Sequence, residues 1–84
     1  IENSNILSIA EGYTIYDIFY DEILKKLILS AGAKGVLVYD WDGVSLDLNF
    51  DFRLLSSYAY TARIYNNLIL VATKNGLEIF NIEG

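Results

Sequence analysis

Two stretches of the chain carry the same pattern: Lys26-Leu-Ile-Leu-Ser-Ala-Gly-Ala-Lys-Gly-Val-Leu-Val-Tyr-Asp40 and Leu68-Ile-Leu-Val-Ala-Thr-Lys-Asn-Gly-Leu-Glu-Ile-Phe-Asn-Ile82. Each stretch contains two short apolar runs separated by a turn with glycine. Short runs rich in Ile, Leu, Val, Tyr and Phe are typical of β-strands. Asn75-Gly76 is a favoured turn dipeptide because both residue types readily adopt positive φ. Each stretch therefore predicts a β-hairpin.

The shared pattern indicates an internal repeat. When residues 23–43 are set against 64–84, an offset of 41, seven of 21 positions are identical. The identical pairs are Ile23/Ile64, Leu27/Leu68, Ile28/Ile69, Leu29/Leu70, Ala31/Ala72, Gly35/Gly76 and Gly43/Gly84. We interpret the chain as a single unit, 1–84, with one repeat at about 5–43 and a second at about 46–84.

Each copy is predicted to supply three strands, and the stretch before it a fourth. The predicted strands are 14–20, 26–31 and 36–41 in the first copy, 61–66, 68–73 and 77–82 in the second, and the outer strands 5–10 and 46–56. Several of these strands are apolar on both faces, which indicates sheets packed between other sheets. The sequence therefore predicts an all-β protein with two four-stranded sheets.

Composition excludes several classes of function. Of 84 residues, 54% are apolar; the net charge is −5, and Cys and His are absent. Because Lys and Arg neutralise phosphates in nucleic-acid complexes, six basic against eleven acidic residues argue against a nucleic-acid partner. Without Cys and His, the commonest general base, the thiol nucleophile and the main transition-metal ligands are missing. No apolar run approaches the roughly 18 residues of a membrane-spanning helix, so we expect no membrane span.

The two quoted hairpins resemble the middle strands of β-propeller blades of the LVIVD type, a family related in architecture to WD-repeat propellers. Four short strands in a repeat of about 40 residues is the organisation of such a blade. The shared motif is a glycine turn followed by an apolar strand that ends in Asp40 or Asn81. The family usually continues with Asp-Pro, whereas this chain contains no Pro.

The resemblance implies partners for the two blades. A closed propeller contains about four to eight blades, so two blades alone leave apolar faces uncovered. We expect either a fragment of a longer propeller chain, consistent with the start at Ile1, or a homo-oligomer that closes a ring. In the second case, residues 5–10 of one copy would complete the last sheet of the next copy in a head-to-tail contact.

A helical alternative is consistent with part of the sequence. Apolar residues recur at helical spacing in 15–28, with two acid–lysine pairs at i,i+4, and residues 51–66 form a second candidate helix. Helices alternating with hairpins would be similar to the Roadblock family, an α/β fold whose first hairpin often carries Asp-x-Asp-Gly, here 40–43. This resemblance implies a dimeric adaptor for a small GTPase. The recurrence of Leu-Ile-Leu-x-Ala favours the all-β interpretation, because a helix–hairpin fold gives no reason for it.

The propeller resemblance also implies where a partner would bind. Propeller ligands usually lie on the loops before the first strand and between the second and third strands. On these loops we expect Tyr13, Lys34, Tyr58 and Lys74 to contact the partner. Tyr combines an apolar ring with a polar tip and is favoured at recognition surfaces, although it is also an ordinary packing residue between sheets.

Other polar groups are interpreted as structural. Asp40, Asp42 and Asp47 lack the glycine position and the closing Glu of an EF-hand loop, so we expect a solvated Asp-Gly turn and no metal. Asp21 and Glu22 would point to opposite faces of a strand and fit a polar turn better than a catalytic pair. The sequence therefore predicts no enzyme and no cofactor, but a binding or scaffolding module for a protein or glycan partner. It does not indicate a compartment.

Overall fold

The computed structural model describes residues 7–82, which contain β-strands and no helix. The strands are β1 (Asp17–Asp21), β2 (Lys26–Ser30), β3 (Val36–Asp40), β4 (Asn49–Leu54), β5 (Ala59–Tyr65), β6 (Leu68–Thr73) and β7 (Gly76–Asn81). The all-β prediction is confirmed. The helices considered for 15–28 and 51–66 are wrong, which disfavours the Roadblock-like alternative. Over the same range, no helix is long and apolar enough to span a membrane.

The helical spacing in 15–28 has a simple origin in two adjacent strands. Apolar residues occupy both faces of β1 and β2, where, for example, Phe19 lies opposite Ile28. The acid–lysine spacing falls in the turn between these strands. There the Asp21 carboxylate accepts hydrogen bonds from the N–H groups of Ile23 at 3.0 Å and Leu24 at 2.9 Å. Asp21 therefore closes a turn, as its polar character predicts.

The strands form two antiparallel sheets in which neighbours along the chain pair with each other. The first sheet has the order β1-β2-β3-β4 and the second the order β5-β6-β7. Asn66 and Asn67 connect β5 to β6 with φ of 51° and 63°, as a two-residue hairpin turn requires. Gly76 opens β7 with φ of 112°, in line with the predicted turn at Asn75-Gly76.

Strand β4 corrects the predicted assignment of the fourth strands. The sequence predicts that 46–56 belongs with the second copy, whereas β4 pairs with β3, from Val36 opposite Leu54 to Asp40 opposite Asn49. The second sheet therefore has three strands within the described residues. Residues 7–10 form no strand, and 5 and 6 lie outside the described range.

One ammonium group explains part of the preference of β4 for the first sheet. Lys26 Nζ on β2 lies 2.5 Å from the Asp40 carboxylate on β3 and 2.7 Å from the Asp51 carboxylate on β4. The pKa of Lys26 is raised, first by the hydrogen bond to Asp40 and then by that to Asp51. The three side chains link three consecutive strands.

The two sheets pack face to face around the main hydrophobic core. Two faces meet there, which we call the Ile28 face (Ile28, Ser30, Val36, Val38) and the Ile69 face (Ala62, Ile64, Ile69, Val71, Phe80). Burying one large aliphatic side chain contributes roughly 1.5–3 kcal/mol. Strand β5 approaches β1 and β2 most closely, so the two sheets form a wedge.

The other side of the first sheet carries a second core. This Leu27 face consists of the buried residues Leu27, Leu29, Leu37 and Tyr39. Partly buried residues of the same chain cover it: Ile9, Ala10, Ile15, Tyr20, Trp41 and Leu48. Strands β2 and β3 are therefore buried on both faces, as their sequences predict.

Backbone hydrogen bonds show which faces of the two sheets correspond. In an antiparallel sheet, each residue forms its backbone hydrogen bonds toward one neighbouring strand, and successive residues alternate between the two neighbours. Because the residues are L-amino acids, the strand toward which a residue bonds determines the face of the sheet on which its side chain lies. In the first sheet, Trp41 N–H donates to Lys25 O at 3.1 Å. Leu27 and Leu29, which follow Lys25 at every second position, therefore also bond toward β3.

In the second sheet, Ile82 N–H donates to Asn67 O at 3.1 Å, so Ile69 and Val71 bond toward β7. The Ile69 face of the second sheet is therefore equivalent to the Leu27 face of the first sheet. The Ile69 face nevertheless packs against the Ile28 face, which is the other side of the first sheet. Non-equivalent faces are in contact, so the two sheets are stacked head-to-tail. In β2 and β6, Leu27 therefore corresponds to Ile69, whereas the ungapped sequence alignment with an offset of 41 pairs Leu27 with Leu68.

Candidate functional site

Loops from both sheets meet at one end of the molecule, which we call the tyrosine end (12–16, 31–35, 55–58 and 74–75). Gly32 and Ala59 exchange backbone hydrogen bonds of 3.0 and 2.9 Å. Lys74 N–H donates to Tyr58 O at 2.9 Å. These bonds join the β2–β3 loop, the entry to β5 and the β6–β7 turn into one surface.

A cavity of about 180 Å³ opens at the tyrosine end. Its lining residues are Gly12, Tyr13, Thr14, Tyr16, Ala31, Ala33, Lys34 and Tyr58. The structure thus brings Tyr13, Lys34 and Tyr58 around one cavity. Lys74, the fourth residue chosen from the sequence, is tied to Tyr58 through its backbone and is not among the lining residues. Contact of any of the four with a partner stays a prediction.

Gly32 lies in close contact with two of the tyrosines at this end. Gly32 has a φ of 58°, a left-handed conformation that an L-residue with a side chain adopts at a cost. A Cβ there would lie 2.7 Å from Tyr16 Cε2 and 3.0 Å from Tyr58 Cζ. A side chain at position 32 would therefore require both rings to shift.

Three tyrosines form an aromatic cluster beside the cavity. Ring centroids of Tyr58 lie 5.8 Å from Tyr16 and 5.4 Å from Tyr60, and the Tyr16–Tyr60 distance is 6.4 Å. The Tyr16 and Tyr58 hydroxyls share a hydrogen bond of 2.6 Å, which is the largest cause of the raised pKa of Tyr58. Sequence reasoning missed Tyr16, because its place beside Tyr58 depends on contact between the two sheets. The alternation Tyr58-x-Tyr60 was the available signal for Tyr60.

A polar network holds the loops around the cluster. The Glu78 carboxylate accepts a hydrogen bond from Ser57 N–H at 3.0 Å and one from Thr73 Oγ1 at 3.4 Å. These bonds lower the pKa of Glu78, with Ser57 as the largest cause. Asn75 Nδ2 donates to Ser57 Oγ at 3.1 Å. The loop before β5 is thereby fixed to the β6–β7 turn, which organises the surface before any ligand binds.

The loop with Asp42 and Asp47, which follows Asp40 at the end of β3, lies at the end of the first sheet opposite the tyrosine end. A shallow cavity of about 330 Å³ there is lined by Lys25, Asp40, Trp41, Asp42, Asp47 and Asn49. The Asp42 carboxylate accepts hydrogen bonds from Ser45 N–H at 3.0 Å and Val44 N–H at 2.9 Å, and its pKa is lowered, mainly by Ser45. Asp42 therefore closes a turn. Within residues 7–82, no three acidic side chains are grouped closely enough to hold a metal ion.

An ion pair between the sheets is the second feature that sequence reasoning missed. Asp17 on β1 accepts a hydrogen bond from the Thr61 hydroxyl and one of 2.8 Å from Arg63 Nη1 on β5. These bonds lower the pKa of Asp17, Thr61 first and Arg63 second. The Arg63 guanidinium also lies over the Phe19 ring, 5.2 Å from its centroid. These contacts fasten β1 to β5 at the narrow side of the wedge.

A third cavity, of about 410 Å³, lies at the end opposite the tyrosine cluster. Its lining residues are Leu24, Lys26, Asp51, Phe52, Asn67 and Ile82. The charges of Lys26 and Asp51 face each other across a salt bridge, so they are already partnered. At the tyrosine end, by contrast, Lys34 forms no salt bridge with another residue of 7–82.

Comparison of the chain with family models, with curated proteins and with solved structures finds no match.

Proposed function

We propose that the chain is a non-catalytic binding module built of two propeller-type blades, whose tyrosine end contacts a protein or glycan partner. The observation that carries this proposal is the meeting of Tyr13, Lys34 and Tyr58 around one cavity that spans loops of both sheets. The assignment as propeller-type blades comes from the resemblance of the sequence, and the assignment of the binding surface comes from the arrangement of the loops at the tyrosine end.

The packing of the sheets supports the blade assignment. In a propeller, successive blades are related by rotation about an axis, so each blade contacts the next through non-equivalent faces. The Ile69 face meets the Ile28 face in this way. A two-fold sandwich would instead bring equivalent faces together. The close approach of β5 to β1 and β2 fits blades that converge toward an axis.

The chemistry of the tyrosine end supports recognition rather than catalysis. Tyrosine rings offer rigid apolar area at a low cost in side-chain entropy, with hydroxyls as hydrogen-bonding tips. Lys34 is the single charged residue in the lining within the described part of the chain. The surface therefore suits a partner with apolar or sugar-ring faces and nearby hydroxyl, carbonyl or carboxylate oxygens.

Two screens and one set of variants test the proposal. The chain is screened on an array of neutral and acidic oligosaccharides and against a displayed peptide library, and the strongest glycan or peptide is then titrated by calorimetry. Lys34→Glu and Tyr13→Ala are expected to weaken binding about tenfold, or ~1.4 kcal/mol. Lys25→Glu makes the same charge change at the opposite end and is the matched control, expected to stay within about twofold.

Absence of binding on both screens would refute the proposed partner class. Equal losses for Lys34→Glu and Lys25→Glu would show a general charge effect and refute the assigned surface. Circular dichroism of each variant checks that the sheets are intact.

A further inference from the structure

Two tyrosines of the aromatic cluster face each other with the carbon atoms that couple when tyrosine is oxidised. In a tyrosyl radical, unpaired electron density lies on the two carbons ortho to the hydroxyl, which are Cε1 and Cε2. Tyr16 Cε2 and Tyr58 Cε1 lie 2.7 and 3.2 Å from the position that a Cβ on Gly32 would take. Both carbons therefore border the same point, and residue 32 places no side chain there.

The hydroxyl groups of this pair are arranged as they are in a dityrosine. In that product a carbon–carbon bond joins two ortho carbons, so the two hydroxyls flank the new bond and share a hydrogen bond. The Tyr16 and Tyr58 hydroxyls already share a hydrogen bond of 2.6 Å, and their ring centroids are 5.8 Å apart. The angle of 53° between the rings is compatible with the twist between two joined rings.

The backbone holds both tyrosines in place. Tyr16 N–H donates to Ser30 O at 2.8 Å, and Gly32 and Ala59, the residue after Tyr58, exchange hydrogen bonds of 3.0 and 2.9 Å. Groups held close together react faster than groups that must first meet by diffusion. Coupling within one chain is therefore favoured over coupling between chains.

Access and orientation distinguish this pair from its neighbour in the cluster. Tyr16 is 49% exposed, so a small oxidant reaches its ring from solvent. The Tyr60 ring lies 5.4 Å from that of Tyr58, but among residues 7–82 the Tyr60 hydroxyl is not hydrogen-bonded to either of the other two. The hydroxyl arrangement of a dityrosine is thus present in the Tyr16–Tyr58 pair.

We propose that a one-electron oxidant converts Tyr16 and Tyr58 into an intramolecular dityrosine, which joins the two sheets covalently. Each phenol gives one electron to the oxidant and its hydroxyl proton to water. The two radicals form a bond between Tyr16 Cε2 and Tyr58 Cε1, and the hydrogen on each of these carbons moves to the oxygen of its own ring. The protein loses two hydrogen atoms in total, and two equivalents of the oxidant are reduced.

The new bond would act on both the stability and the shape of the tyrosine end. It links residues 42 positions apart, so it removes conformational freedom from the unfolded chain. The chain has no cysteine, so a disulfide cannot make this link. Tyr16 and Tyr58 also line the cavity, whose shape the bond would fix. The cross-link goes beyond the proposed binding function and does not depend on the identity of its partner.

Photo-oxidation of the dilute chain by ruthenium tris(bipyridyl) and persulfate, followed by denaturation, trypsin digestion and mass spectrometry, tests the proposal. Trypsin cleaves after Lys and Arg, so Tyr16 lies in the peptide that ends at Lys25 and Tyr58 in peptide 54–63. We expect these two peptides to be joined, with a mass two hydrogen atoms below that of the two together. The yield should not change on dilution, whereas a yield that falls on dilution would show coupling between chains and refute the intramolecular bond.

Phenylalanine variants identify the pair, because each removes one hydroxyl and keeps the ring. Tyr16→Phe and Tyr58→Phe should abolish the joined peptide. Tyr60→Phe, the matched control from the same cluster, should leave its yield unchanged. The proposal is overturned by singly oxidised chain that accumulates without the joined peptide, by a product confined to 54–63, or by a joined peptide that persists in Tyr16→Phe.

Urea unfolding of the purified cross-linked chain tests whether the rings are already in place for the bond. The urea midpoint should rise on oxidation, because the bond closes a loop without displacing the rings. Tyr16→Phe treated in the same way controls for other oxidation products and should show no rise. A midpoint of the cross-linked chain that is unchanged or lower would show that the native arrangement must distort to accept the bond, against the proposed geometry.

Discussion

Replacement of Gly32 by alanine tests whether the tyrosine cluster is as tightly built as the distances indicate. An alanine at φ of 58° costs roughly 1–2 kcal/mol in backbone strain. Its Cβ would also stand 2.7 Å from Tyr16 Cε2 and 3.0 Å from Tyr58 Cζ, and displacing two packed rings costs roughly 1–3 kcal/mol. The free energy of unfolding should therefore fall by about 2–5 kcal/mol. For a domain of this size the corresponding fall in Tm is about 10 °C or more.

Urea unfolding followed by Trp41 fluorescence measures this loss. Trp41 lies at the other end of the first sheet, against Tyr20 at a centroid distance of 5.2 Å, so it reports global unfolding without sensing the mutated loop. Gly12→Ala is the matched control, because Gly12 also has positive φ, 90°, but a Cβ there meets open space. If Gly32→Ala costs no more than Gly12→Ala, the rings yield freely and the reasoning about a rigid cluster is refuted.

Three further predictions concern the remaining contacts. Ile69→Ala in the core between the sheets should lower the unfolding free energy by about 2–5 kcal/mol, as urea titration will show; a loss below 1 kcal/mol would contradict tight packing. The pKa of Asp17 is lowered from its usual value of 3.8, so its contribution is present above that pH and is lost as the pH falls through the lowered pKa. Stability curves from pH 2 to 7 should therefore converge for wild type and Asp17→Asn at the acid end; a constant gap would refute the assignment. Lys26→Met should lower the unfolding free energy by about 1 kcal/mol or more in thermal melts, because the Asp40 and Asp51 carboxylates are left facing each other. This loss of unfolding free energy should be smaller at acid pH.

Local sequence signals predicted most of the strands. The glycine turn and two-sided apolar pattern placed β2, β3, β6 and β7 within a residue or two, because these strands are specified by their own composition. Strand β4 was assigned to the wrong sheet. The contact between Asp51 and Lys26 accompanies the pairing of β4 with β3, and such a contact is not visible in the periodicity of 46–56.

The site was predictable in outline only. The loop positions of Tyr13, Lys34 and Tyr58 follow from strand order, since alternate loops of a meander lie at the same end of a sheet. The roles of Tyr16 and Arg63 do not, because each contacts a partner more than 40 positions away across the two sheets. Contacts of that kind depend on how the sheets stack, which has no signature in local spacing.

The wedge between the sheets also has a consequence for curvature. At its narrow side, β5 contributes the small side chains Ala59 and Ala62 to the core, while β4 and β7 contribute Phe52 and Phe80 on the wide side. This gradient of side-chain volume is consistent with the closer approach of the sheets at β5. Enlarging Ala62 should open the narrow side and flatten the stack, and reducing Phe80 should steepen it. If the proposed blades belong to a ring, the sizes of a few core residues would thereby set the number of sheets that complete it.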